Sequence, residues 1–167
     1  PQPEGLWKAV TMPYSVPKIF KADTGEATYR RSFYSFWKRG MPPPQMSIMN
    51  APEREACVAR RERTNTALQA LLLMNEKEFM KAAAVLAQKT LSHKKLDDSQ
   101  KLSYVYETIT SQLPDKEEAS ILLQLIKDMK IQYKQQPKEA QKLCAPLKLN
   151  QQDAAELAAW SMLVNTL

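Results

Sequence analysis

The sequence predicts an all-α chain: an irregular helical domain of about seven helices with an extended, Pro-rich N-terminal arm. Three observations predict it. Apolar residues recur at helical spacing, and no period-2 alternation competes over any length. Pro and Gly segregate, with eight of the 11 Pro and all three Gly at or before Pro52. Helix start signals recur after that point, at Asn75, Asp98, Asp115, Pro137 and Asn150. These features divide the chain into an arm, residues 1–52, and a helical domain, residues 53–167, folding together as one unit.

The elements follow in order. Residues 1–22 carry Pro1, Pro3, Pro13 and Pro17 among Leu6, Trp7, Val10, Ile19 and Phe20, and read as an extended segment lying over the helical core. Asp23 with Glu26 opens a helix whose stripe is Tyr29, Phe33, Phe36 and Trp37 and which Gly40 stops. At that spacing the aromatic cluster is expected in the core, with Tyr34 and Trp37 on its flank. Pro42, Pro43 and Pro44 enforce an extended exit. Asn50, Pro52 and Glu53 read as a second start, leading into the charged stretch Arg54 to Arg63. Thr66 to Met74 is a short apolar helix.

Asn75 caps the next helix, with Glu76 and Glu78 in its first turn and Phe79, Ala83, Leu86 and Thr90 or Leu91 as its buried stripe. Ser92 to Asp97 is a polar connection holding the single His93, which is expected exposed. Asp98 opens a helix through Leu102, Val105, Ile109 and Leu113, broken by Pro114. Asp115 with Glu118 opens a longer one through Leu122, Leu123, Ile126, Met129 and Tyr133. Pro137 starts a short helix that Pro146 ends. Asn150 caps the last, with Leu157, Trp160, Val164 and Leu167 on one face.

Composition excludes several classes. The chain has 167 residues, 44% hydrophobic and 25% charged, which is enough apolar material for a buried core. No run approaches the ~20 apolar residues of a membrane span. The net charge of +6 is uneven: residues 1–75 carry 11 Lys and Arg against 6 acids, and all seven Arg lie at or before Arg63. Arg is the residue for bidentate pairing with oxyanions, so an anion site or an ion-pair network is expected in the first half. The basic residues form no run and no nucleic-acid motif, so nucleic acid is not expected as a partner.

Cys57 and Cys144 make no framework and are each expected as a small buried apolar residue; the sequence leaves open whether they are bridged. There is no Cys-x-x-Cys-His, so no haem is expected on this chain, and no other cofactor or metal either. No signal-peptide pattern is present, and both ends read as cut from a longer protein.

Arg60-Arg-Glu-Arg-Thr-Asn-Thr-Ala-Leu-Gln-Ala-Leu-Leu-Leu-Met-Asn75 is the most specific segment. It resembles the signature of a planctomycete-type domain of unknown function, with Ala67 where that family usually has Pro. Gln2 to Trp7, Tyr29 to Arg39, Pro42 to Pro44, and Ala51 to Glu55 with Cys57 are similar to the segments before that signature. The resemblance is strong over residues 2–91, weaker over 92–148, and returns loosely at Ala154 to Leu163. It implies a C-terminal domain of a large exported bacterial protein, in the periplasm or at the cell surface, whose parent often carries a cytochrome c domain. It implies no catalytic residue.

Two functions follow as expectations. One is a structural or interaction module that packs against other domains of its parent or a partner. In that reading the arginines pair with Glu53, Glu55 or Glu62 and with backbone carbonyls, and Asn65 or Thr66 caps a helix. The alternative is a ligand-binding or enzymatic half-site for an acidic or sulfated glycan. It would use Arg60, Arg61 and Arg63 for the anion, with Thr64, Asn65, Thr66, Gln69 and Asn75 completing the signature near a helix N-terminus. Whether the parent is an enzyme stays open.

Overall fold

The computed structural model describes Tyr14, Asp23 and residues 25–38, 40–145 and 154–167. The expected path of residues 1–22 over the core, the stop at Pro146 and the cap at Asn150 lie outside the described residues, Tyr14 apart. The chain divides into two compact units, Pro1–Ala70 and Leu71–Leu167.

Among the described residues there are seven α-helices and no strand. They are α1 (Pro44–Ile48), α2 (Ala67–Asn75), α3 (Lys77–Ser92), α4 (Asp98–Thr110), α5 (Lys116–Gln135), α6 (Pro137–Cys144) and α7 (Ala154–Thr166). The fold class is all-α, as the patterning requires. No helix among them is long and apolar enough to cross a membrane.

In the second unit the start signals act as reciprocal caps. The Asp97 carboxylate accepts from Gln100 N at 2.7 Å, and the Gln100 side chain accepts from Asp97 N at 3.1 Å. Asp115 and Glu118 repeat the device at the head of α5, at 2.7 and 3.0 Å. Glu118 also accepts from the Tyr106 hydroxyl at 3.0 Å, a hydrogen bond that raises the phenol pKa. Pro137 sits in the first turn of α6. At α3 the cap is Glu76, whose carboxylate accepts from Glu78 N and Phe79 N. The expected cap, Asn75, instead donates back to Leu71 O at 2.9 Å, because it still belongs to α2.

The core forms around α7. Helices α3, α5 and α6 all pack on it. Ala158, Ala159, Trp160, Ser161 and Leu163 are almost wholly buried, so α7 is enclosed on every side rather than along the expected single face. Ala83, Ala87, Leu102, Val105, Ile126, Ala140 and Cys144 complete the cluster. Phe79, Ile109 and Leu113 fall on exposed flanks, and in α3 alanines take the buried positions. The two buried hydroxyls return to their own helices: Thr90 to Leu86 O at 2.9 Å and Ser161 to Leu157 O at 2.7 Å. Asn165 closes the bundle by donating to Met74 O at 3.0 Å.

One ion network spans three helices. Lys130 donates to Asp98 at 2.9 Å, reaches Glu156 at 3.0 Å and lies 5.9 Å from the centre of the Trp160 ring. Burial lowers the lysine pKa, but the bonds and charges of Asp98 and Glu156 outweigh that and raise it above 10.5.

The first unit departs from expectation at several points. The aromatic segment is not one buried helix but two 3-10 turns, Gly25–Tyr29 and Ser32–Tyr34, with Tyr29, Phe33, Tyr34 and Phe36 at 55–79% exposure. The backbone extends at Arg31 and at Ser35. Aromatic residues lose side-chain freedom in a helix and Ser competes for its backbone hydrogen bonds, so such a run is poorly held as one helix without a core to pack on. Another departure is Asn50, which ends a helix rather than starting one. It takes φ +52° just past α1. Asn50 N donates to Ser47 O at 3.1 Å and Ala51 N to Met46 O at 2.8 Å. That pair of bonds is a Schellman stop, and Pro52 follows it as a breaker. Pro44, at the start of α1, belongs to a helix rather than to an extended exit.

His93 is exposed, with its ring edge-on to Tyr104 at 5.4 Å. Both cysteines are free. Cys144 is buried, which raises its thiol pKa, and its Sγ donates to Ala154 O at 3.7 Å. Cys57 is exposed, not buried as expected, because residues 51–66 form no helix that could turn it inward.

Two outcomes test this packing. Trp160→Ala should cost about 3–5 kcal/mol in urea unfolding followed by circular dichroism; a loss under about 1 kcal/mol would remove α7 from the centre of the core. Lys130→Met should cost about 1 kcal/mol at neutral pH. Because the folded lysine pKa is raised by two carboxylates, that difference should hold from neutral pH up to about 10.5 and shrink as pH climbs through the folded value. A difference that closes near neutral pH would assign it to some other group.

Candidate functional site

The site is built where the signature folds back onto the end of α1. Thr66 and Gln69 form a capping box at the head of α2. Gln69 N donates to Thr66 Oγ1 at 3.2 Å, and Thr66 N donates to Gln69 Oε1 at 3.1 Å. Ala67 is therefore the first helical residue, where a missing backbone donor does no harm.

The other end of the Gln69 amide reaches α1. Its Nε2 donates to Ile48 O and to Thr64 Oγ1, both at 2.9 Å. Gln69 is 8% exposed and is the one buried residue of α2. Arg61 takes the next two carbonyls: its Nε donates to Asn50 O at 2.9 Å and its Nη2 to Met49 O. Asn50 Nδ2 donates to Thr64 Oγ1. The carbonyls at the end of α1 and just past it, from Met46 to Asn50, all have donors, three of them from signature side chains. A helix end leaves such carbonyls unpaired unless side chains or water supply donors.

An open hollow of about 500 Å³ lies on this junction. Of the expected site residues, Arg60, Arg61, Arg63, Thr64 and Gln69 line it, together with Met49, Asn50 and Glu62. Asn65, Thr66 and Asn75 do not line it. Asn75 belongs to the second unit and bonds Leu71 O. Thr66 has its hydroxyl oxygen and amide in the capping box. Among the described residues, Arg60, Arg61 and Arg63 make no ion pair with Glu53, Glu55 or Glu62. The carbonyls of Met49 and Asn50, just past α1, stand in for those acids at Arg61, while Arg60 and Arg63 are exposed and carry no hydrogen bond or ion pair among the described residues.

Sequence reasoning missed Arg54. It sits at φ +66°, donates to Ser32 O at 3.2 Å and to Ser35 O at 3.5 Å, and lies 5.2 Å from the Trp37 ring centre. It thus ties the second 3-10 turn to the chain that follows α1. A positive φ at a long side chain is uncommon, and no local pattern announces it. Among the described residues no group of three or more His, Cys, Asp or Glu could hold a metal ion.

Substitutions at the junction test its energetics. Gln69→Ala should lower stability by about 1–2 kcal/mol, since it opens the capping box and leaves Ile48 O without its donor. Ala67→Pro should raise stability by about 0.4–1 kcal/mol by restricting the unfolded chain. Thermal unfolding reads both; an unchanged midpoint in Gln69→Ala would show that the junction does not hold the first unit together.

No curated protein and no solved structure matches the sequence. The family profile described as "PSD1: Protein of unknown function (DUF1553)" matches residues 4–126. That span is well over half of the chain and includes the whole signature, the hollow and the caps of α3, α4 and α5, so the chain belongs to the DUF1553 family.

Proposed function

We propose that this chain is a helical interaction module of a larger exported bacterial protein, packing against other domains of its parent or a partner. The observation that supports this best is the first unit's lack of burial. Among its described residues only Pro43 and Gln69 are buried, while Tyr29, Phe33, Tyr34, Phe36, Val58 and Leu68 are exposed. Large apolar side chains left in water at this density mark a surface meant to be covered. The planctomycete type, the C-terminal place in the parent and export to the periplasm or cell surface rest on the family resemblance.

A second reading, the half-site for an acidic or sulfated glycan, is favoured by the two unpartnered guanidinium groups of Arg60 and Arg63 on the hollow. In both readings Arg61 and Gln69 hold the frame.

The module reading is tested by Phe33→Ser with Tyr34→Ser, made both in this 167-residue chain and in the longer parent protein. The isolated chain should keep its unfolding midpoint, because these side chains are already exposed, and the parent should lose several degrees. Equal losses in both, or none in the parent, would rule out a covered face at these residues.

A further inference from the structure

We propose that the hollow holds a sulfate or carboxylate group of an acidic glycan between Arg60 and Arg63, with the Thr64 hydroxyl as a third donor and Arg61 as a positioning residue. This inference rests on the second reading above and names its ligand contacts.

The hydrogen bonds already in place divide the signature. Arg61 has Nε and Nη2 on Asn50 O and Met49 O, and Gln69 has Nε2 on Ile48 O and Thr64 Oγ1. These side chains hold the wall of the hollow. Thr64 Oγ1 accepts from both Asn50 Nδ2 and Gln69 Nε2, so both of its acceptor positions are filled. What the hydroxyl has left is its own proton, and Thr64 lines the hollow.

Arg60 and Arg63 add two planar forks with no internal partner among the described residues. Three arginines against the single Glu62 leave the wall at a formal +2. Guanidinium forks match the geometry of carboxylate and sulfate oxygens. A volume of about 500 Å³ suits a sugar-sized group. No aromatic residue lines the hollow, so nothing there would stack a base, and recognition would rest on the anionic group itself.

The test titrates the full chain, by calorimetry at constant ionic strength, with a sulfated tetrasaccharide, trigalacturonate, sodium sulfate and neutral maltotriose. The two acidic oligosaccharides should bind more tightly than free sulfate, and maltotriose should not bind. Arg60→Ala with Arg63→Ala should weaken the acidic ligands by about tenfold or more at an unchanged unfolding midpoint. Arg60→Lys with Arg63→Lys should recover part of that loss, since charge returns without the fork. Arg61→Ala should lower the midpoint. Equal binding of maltotriose, or of free sulfate, would overturn the assignment to an acidic glycan. Binding that survives the double alanine variant but fails in Thr66→Ala would keep a site in the signature and overturn these contacts. No binding by any probe, with Arg61→Ala still destabilising, would remove both the inference and the second reading and leave the signature as a junction.

Discussion

The enclosure of α7 is the constraint on which the second unit depends. A helix buried on every side must be small where neighbours approach and must hide its own polar groups. Ala158 and Ala159 meet the first condition; Ser161, bonded back to Leu157 O, meets the second. Trp160 supplies the volume. Its indole nitrogen is buried without an acceptor among the described residues, while Lys130 lies over the ring. The same lysine links Asp98 at the head of α4 to Glu156 in the first turn of α7. Both carboxylates sit where helix dipoles favour negative charge, so the pair of bonds and the two helix starts reinforce one another.

A different principle organises the first unit. It buries little among its described residues, so apolar packing contributes little to its shape there. Backbone accounting takes over. Two short helices, α1 and α2, must each satisfy their ends, and neither is long enough to be stable alone. Gln69 serves both at once, capping the start of α2 with one amide atom and the end of α1 with the other. Arg61 finishes the carbonyls that the Schellman bonds leave over. The density of polar residues in the signature is what such an end-to-end junction requires.

The legible parts of the sequence were those whose signals are local. Asp115 with Glu118, the proline at the head of α6 and the apolar run of α2 act within a few residues, and each appears where its pattern places it. Asn50 shows how a local signal misleads. Asn serves both as an N-terminal cap and as a left-handed terminator, and a following Pro suits both roles. The choice was settled by Pro44, six residues earlier, which starts a helix that Asn50 then has to stop. The aromatic stripe fails for another reason. Its spacing is helical, but spacing records only which residues would share a face, not whether a core exists to receive that face. Contacts across ten residues or more, such as Arg61 to Met49 or Arg54 to Ser32, leave no periodic trace at all.

This limit bears on function. Arg60, Arg61 and Arg63 are chemically identical and nearly adjacent, yet the junction gives them opposite roles. The guanidinium that meets the carbonyls of α1 becomes framework, and its charge is partly neutralised by their dipoles. The two that meet no carbonyl line the hollow with no internal partner among the described residues. A run of arginines therefore cannot be read as a binding motif until each fork has been followed to its acceptor. The sharing also couples the roles: Arg61 and Gln69 both line the hollow and bond the carbonyls at the end of α1, so a ligand bound at the proposed site would stabilise that end. At the proposed site, ligand binding would be linked to the folding of the first unit and would raise its stability by mass action.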